Sequence, residues 1–258
     1  MRNHQQSVHA QFDPQPKAYL DSEVHAKGKD LVRAQALVKQ AIPLTGAGLD
    51  VGCGAGHLSY ALSPLLSHMV ALDPSEAMLA TVRETAQARG LGNIETMPGT
   101  AEALPFAAAS FDLVATRYSA HHWIALDRAL AEMRRVLRPG GFILVIDVEA
   151  PSNPLVDTHF QTLELLHDPS HVRDRSEAEW RRHFQAADCE ILGYSRWPVR
   201  LEFPSWVANS RTPPAKVAMI RALQREAPLE VREALATEAD GSFTLQTALI
   251  WGRVACQA

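Results

Sequence analysis

The residues with the clearest chemical potential lie in one short stretch, LDVGCGAGHL, at residues 49–58. Its apolar start is typical of a strand end, and Gly52, Gly54 and Gly56 follow at every second position. Glycine permits positive φ angles and lets the backbone approach a ligand closely, as a sharp strand-to-helix turn beside a ligand requires. Asp50 stands two residues before the first glycine. The stretch therefore predicts a nucleotide-type site that contains a carboxylate.

The glycine spacing and the acid discriminate between two kinds of nucleotide. Dinucleotide-binding proteins carry G-x-G-x-x-G, whereas the third glycine here comes one residue early. The carboxylate of Asp50 would repel a pyrophosphate and attract an ammonium group. S-adenosylmethionine (SAM) carries an amine and a sulfonium and has no phosphate, so the stretch favours SAM. A nicotinamide-dependent oxidoreductase is an alternative, and so is a glycine-rich turn without a ligand.

A second acid ends the next apolar run. Residues 69–72 read as a buried strand, and Asp73 follows them directly. An acid at this place can accept hydrogen bonds from both ribose hydroxyls. The same segment starts a helix in which Ser75 is the expected N-cap, and Met78 lies one turn inside it, where a thioether can pack on an adenine face. We therefore expect Asp73 to bind ribose while Ser75 caps the helix.

Five segments resemble the class I SAM-dependent methyltransferases in their order and spacing. They are LDVGCGAGHL, ALDPSEAML, GTAEALPF, SFDLVATRYSAHHW and EMRRVLRPGGFILVIDV. The match covers residues 45–150 and is similar to the small-molecule branch related to the ubiquinone/menaquinone-biosynthesis C-methyltransferases. The resemblance implies transfer of a methyl group from SAM to an unidentified small molecule, with S-adenosylhomocysteine as the second product. A SAM-binding regulatory module without catalysis is the alternative from another functional class.

The resemblance also implies the remaining cofactor contacts. In this family an Asp in the adenine loop commonly accepts from the exocyclic amine, but Thr100 stands at that place here. Adenine would therefore rest more on the Ala101 backbone and on Glu102. Arg117 would lie beside the methionine part of SAM through its backbone. The predicted cofactor-binding residues are Asp50, Gly52, Gly54, Gly56, Asp73, Met78, Thr100, Ala101, Glu102 and Arg117.

Two adjacent histidines follow the fourth predicted strand and are the catalytic candidates. By the same resemblance, His121 and His122 lie where the methyl acceptor would bind. Histidine titrates near neutral pH and can take a proton from an O–H, N–H or acidic C–H nucleophile. Methyl transfer does not always need a base, because proximity and in-line orientation supply much of the acceleration. A structural hydrogen bond or a packed ring is the alternative role for each histidine.

Apolar runs separated by helical periodicity predict an α/β fold. The resemblance implies a Rossmann-like, doubly wound sheet of seven strands, in which strand 7 lies antiparallel between strands 5 and 6. Helical insertions are expected over the carboxyl edge of the sheet. The predicted strands occupy residues 49–51, 69–72, 93–97, 110–115, 142–148, 189–197 and 242–254.

We expect a single methyltransferase domain over residues 1–258. An N-terminal segment would cover the cofactor, and Phe12, Tyr19 and His25 would then face the site. The alternative is that these three residues cap the core or lie on the surface. Two stretches are longer than the fold needs, and helical periodicity within them predicts inserted lobes on the acceptor side. The expected parts are the cover segment at 1–44, the SAM-binding core at 45–150, and the lobes at 150–185 and 203–240.

The first inserted lobe contains a polar run, HDPSHVRD, at residues 167–174. His167 and His171 have the i, i+4 spacing of ligands on one helix face. Pro169 between them argues against a regular helix, so we predict no metal site. A surface or acceptor-facing loop is expected instead.

Composition narrows the remaining classes. A formal net charge of -4 does not favour nucleic acid or an anionic membrane as a partner. No apolar run approaches the ~18 residues of a membrane span, and the polar start MRNHQQSVHAQFDPQ lacks the apolar core of a signal peptide. Three widely spaced cysteines, Cys53, Cys189 and Cys256, form neither a disulfide framework nor a metal cluster. We therefore expect a cytoplasmic enzyme with reduced thiols.

Overall fold

The computed structural model of this chain describes residues 3–20 and 28–255, and a seven-stranded sheet forms its centre. The strand order is β3-β2-β1-β4-β5-β7-β6. Neighbouring strands from β3 to β5 pair in parallel, whereas β7 runs antiparallel to both β5 and β6. The predicted Rossmann-like fold, with an antiparallel seventh strand between the fifth and sixth, is confirmed. The strands are β1 (Ala47–Val51), β2 (His68–Asp73), β3 (Ile94–Pro98), β4 (Phe111–Arg117), β5 (Leu137–Glu149), β6 (Cys189–Leu201) and β7 (Phe243–Val254).

Helices precede the sheet, connect its strands and form the insertions. Those before β1 are α1 (His4–Phe12), α2 (Pro16–Leu20) and α3 (Lys29–Ala41). The connecting helices of the core are α4 (His57–Leu62), α5 (Glu76–Ala88) and α6 (Leu126–Val136), with 3-10 turns at Ser63–Leu65 and Ala120–His122. The later helices are α7 (Pro154–His167), α8 (Glu177–Ala186), α9 (Phe203–Asn209), α10 (Pro214–Glu226) and α11 (Leu229–Ala234).

Both faces of the sheet are covered, which explains why its central strands are apolar runs. Successive side chains of a strand point to opposite faces. In β4, Val114 therefore joins the apolar cluster under α6 and α8, whereas Leu113 and Ala115 join the one under α3 and α4. Helix α8 contributes Trp180 and Phe184, which are both buried. These two layers hold the carboxyl ends of the parallel strands at one edge.

The start of β5 differs from the sequence-based expectation. The sequence predicts the fifth strand at residues 142–148, after Pro139, Gly140 and Gly141. The strand instead begins at Leu137, directly after α6, and Leu137 pairs with Phe111. The pairing register shifts before the next pair, so the glycines lie in an irregularity of the strand. Gly140 has a φ of 75°, a conformation that glycine adopts without the steric cost that a side chain would cause.

The two insertions pack against each other and share one apolar cluster. We call residues 150–185 the first insertion and residues 203–240 the second insertion. The cluster joins Phe160 and Leu163 of α7 to Trp206, Ile220 and Val231 of the second insertion. Contact between the insertions covers apolar faces that neither could bury alone.

Part of the polar run of the first insertion is buried. Residues 168–176, which we call the polar loop, connect α7 to α8. Asp168, Ser170, His171 and Asp174 within this loop are all buried. A surface loop does not fit these buried side chains, although Pro169 and Val172 are exposed. The alternative, an acceptor-facing loop, stays a prediction.

The described helices and cysteines can be compared with what the sequence predicts. No helix within residues 3–20 and 28–255 combines the length and apolarity needed to cross a membrane.

Cys53 and Cys189 are free and buried, and burial raises the pKa of both thiols. Cys256 lies outside the described residues. The two described thiols are accordingly protonated at neutral pH and poorly nucleophilic.

Candidate cofactor and acceptor site

A cavity of about 350 Å³ lies at the carboxyl ends of β1, β2 and β4, beneath α1. Its position matches the edge at which open α/β sheets bind ligands. Most of the residues predicted from the sequence meet here, whereas Gly56 and His121 are not among the described lining residues. The predicted residues that line the cavity are Asp50, Gly52, Gly54, Asp73, Met78, Thr100, Ala101, Glu102, Arg117 and His122.

The three glycines have different local roles. All have positive φ, at 71° for Gly52, 51° for Gly54 and 87° for Gly56. A Cβ on Gly52 would lie 2.0 Å from the Ser119 hydroxyl oxygen, whereas a Cβ on Gly54 would meet nothing within 4 Å. Gly56 precedes α4, and its Cβ would lie 2.7 Å from the Tyr60 ring. Gly54 therefore leaves space beside the cavity, whereas Gly56 serves the turn and the packing below it.

Asp50 is a buried carboxylate at the base of the cavity, with 1% of its surface exposed. The hydroxyl of Ser59 donates to its Oδ2 at 2.7 Å. Its Oδ1 has no hydrogen-bond partner among the described residues. Burial raises the pKa of Asp50 to about 7, although the Ser59 hydrogen bond and the positive charge of Arg117 oppose the shift. A cationic group in the cavity would therefore relieve an existing electrostatic cost.

Asp73 ends β2 and turns its carboxylate into the cavity. The backbone N–H of Ser75 donates to Oδ1 and that of Gly54 to Oδ2, both at 2.9 Å. Burial raises the pKa of Asp73 to about 6 despite these two bonds. Each carboxylate oxygen can accept a further hydrogen bond. The two backbone donors thus hold Asp73 in one orientation and leave it able to accept from a ligand's hydroxyls.

Met78, Thr100 and Ala101 also line the cavity. Met78 is buried one turn into α5, where the Ser75 hydroxyl caps the helix by accepting from the Met78 N–H. Ala101 is also buried, and Thr100 forms an isolated bridge with Ala103 that closes the loop after β3. Loop and thioether together provide a surface on which a flat ring can pack.

Arg117 is held by a partner that sequence reasoning missed. Its guanidinium Nε donates to Asp30 in α3, and both side chains are buried. The guanidinium also lies over the Tyr118 ring, 4.7 Å from its centroid. Asp30 carried no signal beyond being an acid in the first turn of an amphipathic helix. The pair joins the N-terminal part of the chain to the end of β4.

His121 is tightly paired and is not a described lining residue of the cavity. Its Nδ1 lies 2.6 Å from Asp147 Oδ1, and its backbone N–H donates to Asp147 Oδ2 at 3.1 Å. Burial opposes a charged ring, but the charge and the hydrogen bond of Asp147 prevail and raise the pKa of His121 to about 10. Consistently, the positive charge of His121 holds the pKa of Asp147 below its usual range against the effect of burial. The pair is thus an imidazolium–carboxylate pair at neutral pH.

His122 differs from its neighbour in environment and charge. It lines the cavity, and the Phe12 ring packs edge-on against it at 5.1 Å between centroids. Burial and the positive charge of His121, whose ring lies 4.1 Å away, lower the pKa of His122. His122 is therefore neutral at physiological pH. The structure separates the two predicted histidines into a charged ring outside the cavity and a neutral ring inside it.

A candidate cation cluster lies behind His121. Ligand atoms of His121, Asp147 and Asp174 are all within 4.8 Å of one another. The imidazolium of His121 can balance negative charge on these acids without a metal ion. The predicted absence of a metal site stays a prediction. Of the histidines considered from the sequence, His171 borders this cluster, with Nε2 3.9 Å from Asp174 Oδ2 and 2.8 Å from Gln161 Oε1. His167 lies apart from it and stacks on the Trp206 ring at 3.9 Å between centroids.

Helix α1 forms the outer wall of the cavity. His4 donates through Nε2 to the His122 carbonyl at 2.9 Å, and Gln11 donates through Nε2 to the Ser210 carbonyl at 3.1 Å. Phe12 and Tyr19 line the cavity with their rings 5.5 Å apart. His25, which was expected to face the site, lies outside the described residues. These contacts join the start of the chain to both the core and the second insertion.

The sequence of this chain is similar to a domain family and to known bacterial proteins. A family model described as a methyltransferase domain matches residues 49–145. The uncharacterized protein YafE of Escherichia coli (strain K12) is 44% identical over 193 residues, which cover 75% of this chain and 93% of YafE. The uncharacterized methyltransferase YcgJ of Bacillus subtilis (strain 168) is 33% identical over 247 residues, which cover 93% of this chain and 96% of YcgJ.

This chain is also similar to a solved structure and, over part of its length, to a C-methyltransferase. The crystal structure of Bacillus subtilis YcgJ matches with a TM-score of 0.81 at 32% identity, covering 88% of this chain and 98% of that chain. The ubiquinone/menaquinone biosynthesis C-methyltransferase UbiE of Hahella chejuensis is 40% identical over 112 residues, 42% of this chain and 45% of UbiE. Because a methyltransferase relative matches along nearly the whole chain in both sequence and fold, this chain belongs to the class I SAM-dependent methyltransferases.

Proposed function

We propose that this chain binds SAM in the cavity and transfers its methyl group to a small-molecule acceptor. The observation that carries the proposal is the carboxylate of Asp50, which is buried and has an oxygen without a partner among the described residues. SAM, when bound, supplies a methyl group on a positively charged sulfur. Asp50 and the glycine loop would hold the amino-acid end, where an ammonium group compensates the buried charge.

The other lining residues divide the rest of the cofactor between them. Asp73 would accept from the ribose hydroxyls. Met78, with Thr100, Ala101 and Glu102, would hold the adenine. Arg117 would lie beside the methionine part, where its pairing with Asp30 restrains it. A cavity of about 350 Å³ is within the range of small-molecule sites, which supports a ligand of this kind.

The acceptor side is proposed to lie between His122, α1 and the two insertions. We assign the contact with the acceptor to His122, because it is the neutral histidine that lines the cavity. His121 would act through its charge on His122. The similarity to UbiE covers less than half of either chain. It therefore supports the cofactor half of the proposal more than a quinone-type ring as the acceptor.

Calorimetric titration of SAM and S-adenosylhomocysteine tests the cofactor half. We expect binding to the wild type and a loss of about tenfold or more in affinity for Asp73→Asn, because the amide accepts fewer hydrogen bonds and carries no charge. Charge-assisted hydrogen bonds contribute about 1.5–3 kcal/mol each. Asp188→Asn is the matched control, since Asp188 has a φ of 51°, which asparagine also tolerates, and is not among the described lining residues.

A nicotinamide-dependent oxidoreductase and a SAM-binding regulatory module would each give a different experimental result. Binding of a nicotinamide dinucleotide in preference to SAM would contradict the proposal. Binding of SAM without methyl transfer to any of a broad panel of hydroxyl, amine, thiol and carbon acceptors would favour a regulatory module. Transfer of an isotope-labelled methyl group to one class of acceptor would support the enzyme and identify the nucleophile.

A further inference from the structure

The polar loop contains a turn that fixes the position of Ser170. The backbone N–H and the hydroxyl of Ser170 both donate to Asp168 Oδ1, at 2.7 and 2.6 Å. Both residues are buried. The N–H groups of Val172 and Arg173 donate to the His121 carbonyl at 2.9 and 3.1 Å, which fastens the loop to the segment that carries the two histidines. Ser170 is therefore held rigidly against this segment.

Two oxygens of Ser170 face the same ring nitrogen of His122. The carbonyl oxygen lies 3.1 Å from His122 Nδ1, and the hydroxyl oxygen lies 3.3 Å from it. A carbonyl oxygen can only accept a hydrogen bond. The hydroxyl proton is already donated to Asp168, so this oxygen also faces Nδ1 as an acceptor. Both contacts require the hydrogen of a neutral imidazole to reside on Nδ1.

The lone pair of the ring must then reside on Nε2. Nε2 has no hydrogen-bond partner among the described residues, and it lies on the edge of the ring opposite Nδ1. The Nδ1 edge is against the polar loop, while the residue itself lines the cavity. Charge supports the same state, because burial and the neighbouring imidazolium of His121 keep His122 neutral.

We propose that Asp168 and Ser170 are positioning residues that hold His122 as its Nδ1–H tautomer, so that Nε2 accepts a hydrogen bond from an acceptor whose nucleophile carries a hydrogen, and orients it. The inference rests on the proposed function for its reaction and on the loop geometry for the tautomer. In the step, the electron pair of the nucleophile forms the bond to the methyl carbon, and the electrons of the S–CH₃ bond remain on sulfur. The proton of the nucleophile passes to water, because a second imidazolium beside His121 is disfavoured.

Long-range ¹H–¹⁵N NMR of histidine-labelled protein tests the tautomer directly, without cofactor or acceptor. The His122 signals are assigned by their loss in His122→Gln. We expect the wild type to show a protonated Nδ1 and a bare Nε2. Asp168→Ala removes both bonds that orient Ser170, so the Nε2–H form should become a detectable share. Ser170→Ala should cause a smaller shift in the same direction, because its carbonyl remains.

Two variants separate this role from a general structural one. Asp168→Asn keeps an oxygen that can accept from Ser170, so it should restore the wild-type tautomer. Ser67→Ala is the control, because the Ser67 hydroxyl donates to the Thr45 carbonyl at 2.9 Å, just before β2 and away from the insertions. It should leave the His122 signals unchanged. Thermal unfolding of each variant shows whether it folds, and Asp168→Asn and Ser170→Ala are the milder changes if Asp168→Ala does not.

The inference is overturned if the wild type shows the Nε2–H form, or if Asp168→Ala and Ser170→Ala both keep the wild-type tautomer. These outcomes do not depend on SAM. If the tautomer is as expected but SAM does not bind, the proposed function fails while the positioning role stands. If SAM binds and the tautomer is reversed, the positioning role fails alone.

Discussion

Asp50 shows how one buried carboxylate can prepare a cavity for a cation. Ser59 supports only one of its oxygens, and the other has no described partner. Without a cationic ligand, ionisation of Asp50 is therefore costly, and burial raises its pKa to about 7 from an ordinary value of 3.8. An acid with a raised folded-state pKa contributes stability at low pH that is lost as the pH rises through that pKa.

This linkage gives a prediction for Asp50→Asn, which removes the titrating group. Between about pH 5.5 and 8.5 the wild type should lose roughly 2 kcal/mol of unfolding free energy relative to the variant, at about 1.4 kcal/mol per pKa unit. Urea unfolding of the ligand-free proteins at both pH values measures the difference. Asp188→Asn, an exposed replacement of the same type, should show no such trend. Parallel pH curves for Asp50→Asn and the wild type would mean that Asp50 ionises without cost.

The charge of His121 depends on Asp147, and this dependence gives a second prediction. In Asp147→Asn, His121 loses its anionic partner, so burial should lower its pKa. The positive charge beside His122 then disappears, and the pKa of His122 should rise. NMR titration of the ring C–H signals measures both shifts. Asp174→Asn is the comparison, since Asp174 acts on His121 only through charge and should have a weaker effect. Unchanged titrations in Asp147→Asn would show that His121 is not held as an imidazolium.

At the scale of elements, α1 is attached in a different way from the core helices. Its sequence HQQSVHAQF has few apolar residues, whereas α6 buries a complete apolar face in the core. Hydrogen bonds therefore carry much of its attachment, at His4 near its start and at Gln11 near its end. A helix held mainly by polar contacts opens more readily than one with a buried apolar face.

We expect Gln11→Ala to loosen α1 without disturbing the sheet. The change removes the Gln11 bond to the Ser210 carbonyl, which should raise amide exchange over residues 4–12 and speed the dissociation of SAM. Hydrogen–deuterium exchange and stopped-flow measurements report the two effects. Gln35→Ala is the matched control, because Gln35 makes a similar bond to the Ala61 carbonyl in a different part of the fold. Faster exchange in the strands as well as in α1 would contradict a local role.

The elements of the core could be predicted because each carries a local signal. Strand β1 ends directly before Gly52, and β2 ends at Asp73. Ser75, two residues after Asp73, caps helix α5. The cavity residues after β1 to β4 meet for the same reason, since parallel strands end at one edge. Asp30 and Ser170 could not be predicted in this way. Their partners Arg117 and His122 lie 87 and 48 residues away, and only tertiary packing brings them together.

At the scale of the whole molecule, the sequence indicated two inserted lobes but not their contact. Helical periodicity identifies apolar faces, yet it does not show which face covers which. In the structure, Phe160 of the first insertion and Ile220 of the second insertion belong to one cluster. The polar loop follows α7 directly, so the packing between the insertions supports the segment that holds His122. Stability of this cluster should therefore be coupled to the order of the site.

Ile220→Ala tests whether the insertions form one cooperative unit. Ile220 is 0% exposed, and its truncation should cost roughly 2–4 kcal/mol through lost burial and a cavity. If the cluster is shared, amide exchange should rise together in α7, α10 and the polar loop, while β1 to β4 keep their protection. Met219→Ala, at the neighbouring position with 54% exposure, should leave all of these unchanged. Faster exchange confined to α10 would show that the first insertion is stable alone, and that the support for His122 comes from the core and not from the second insertion.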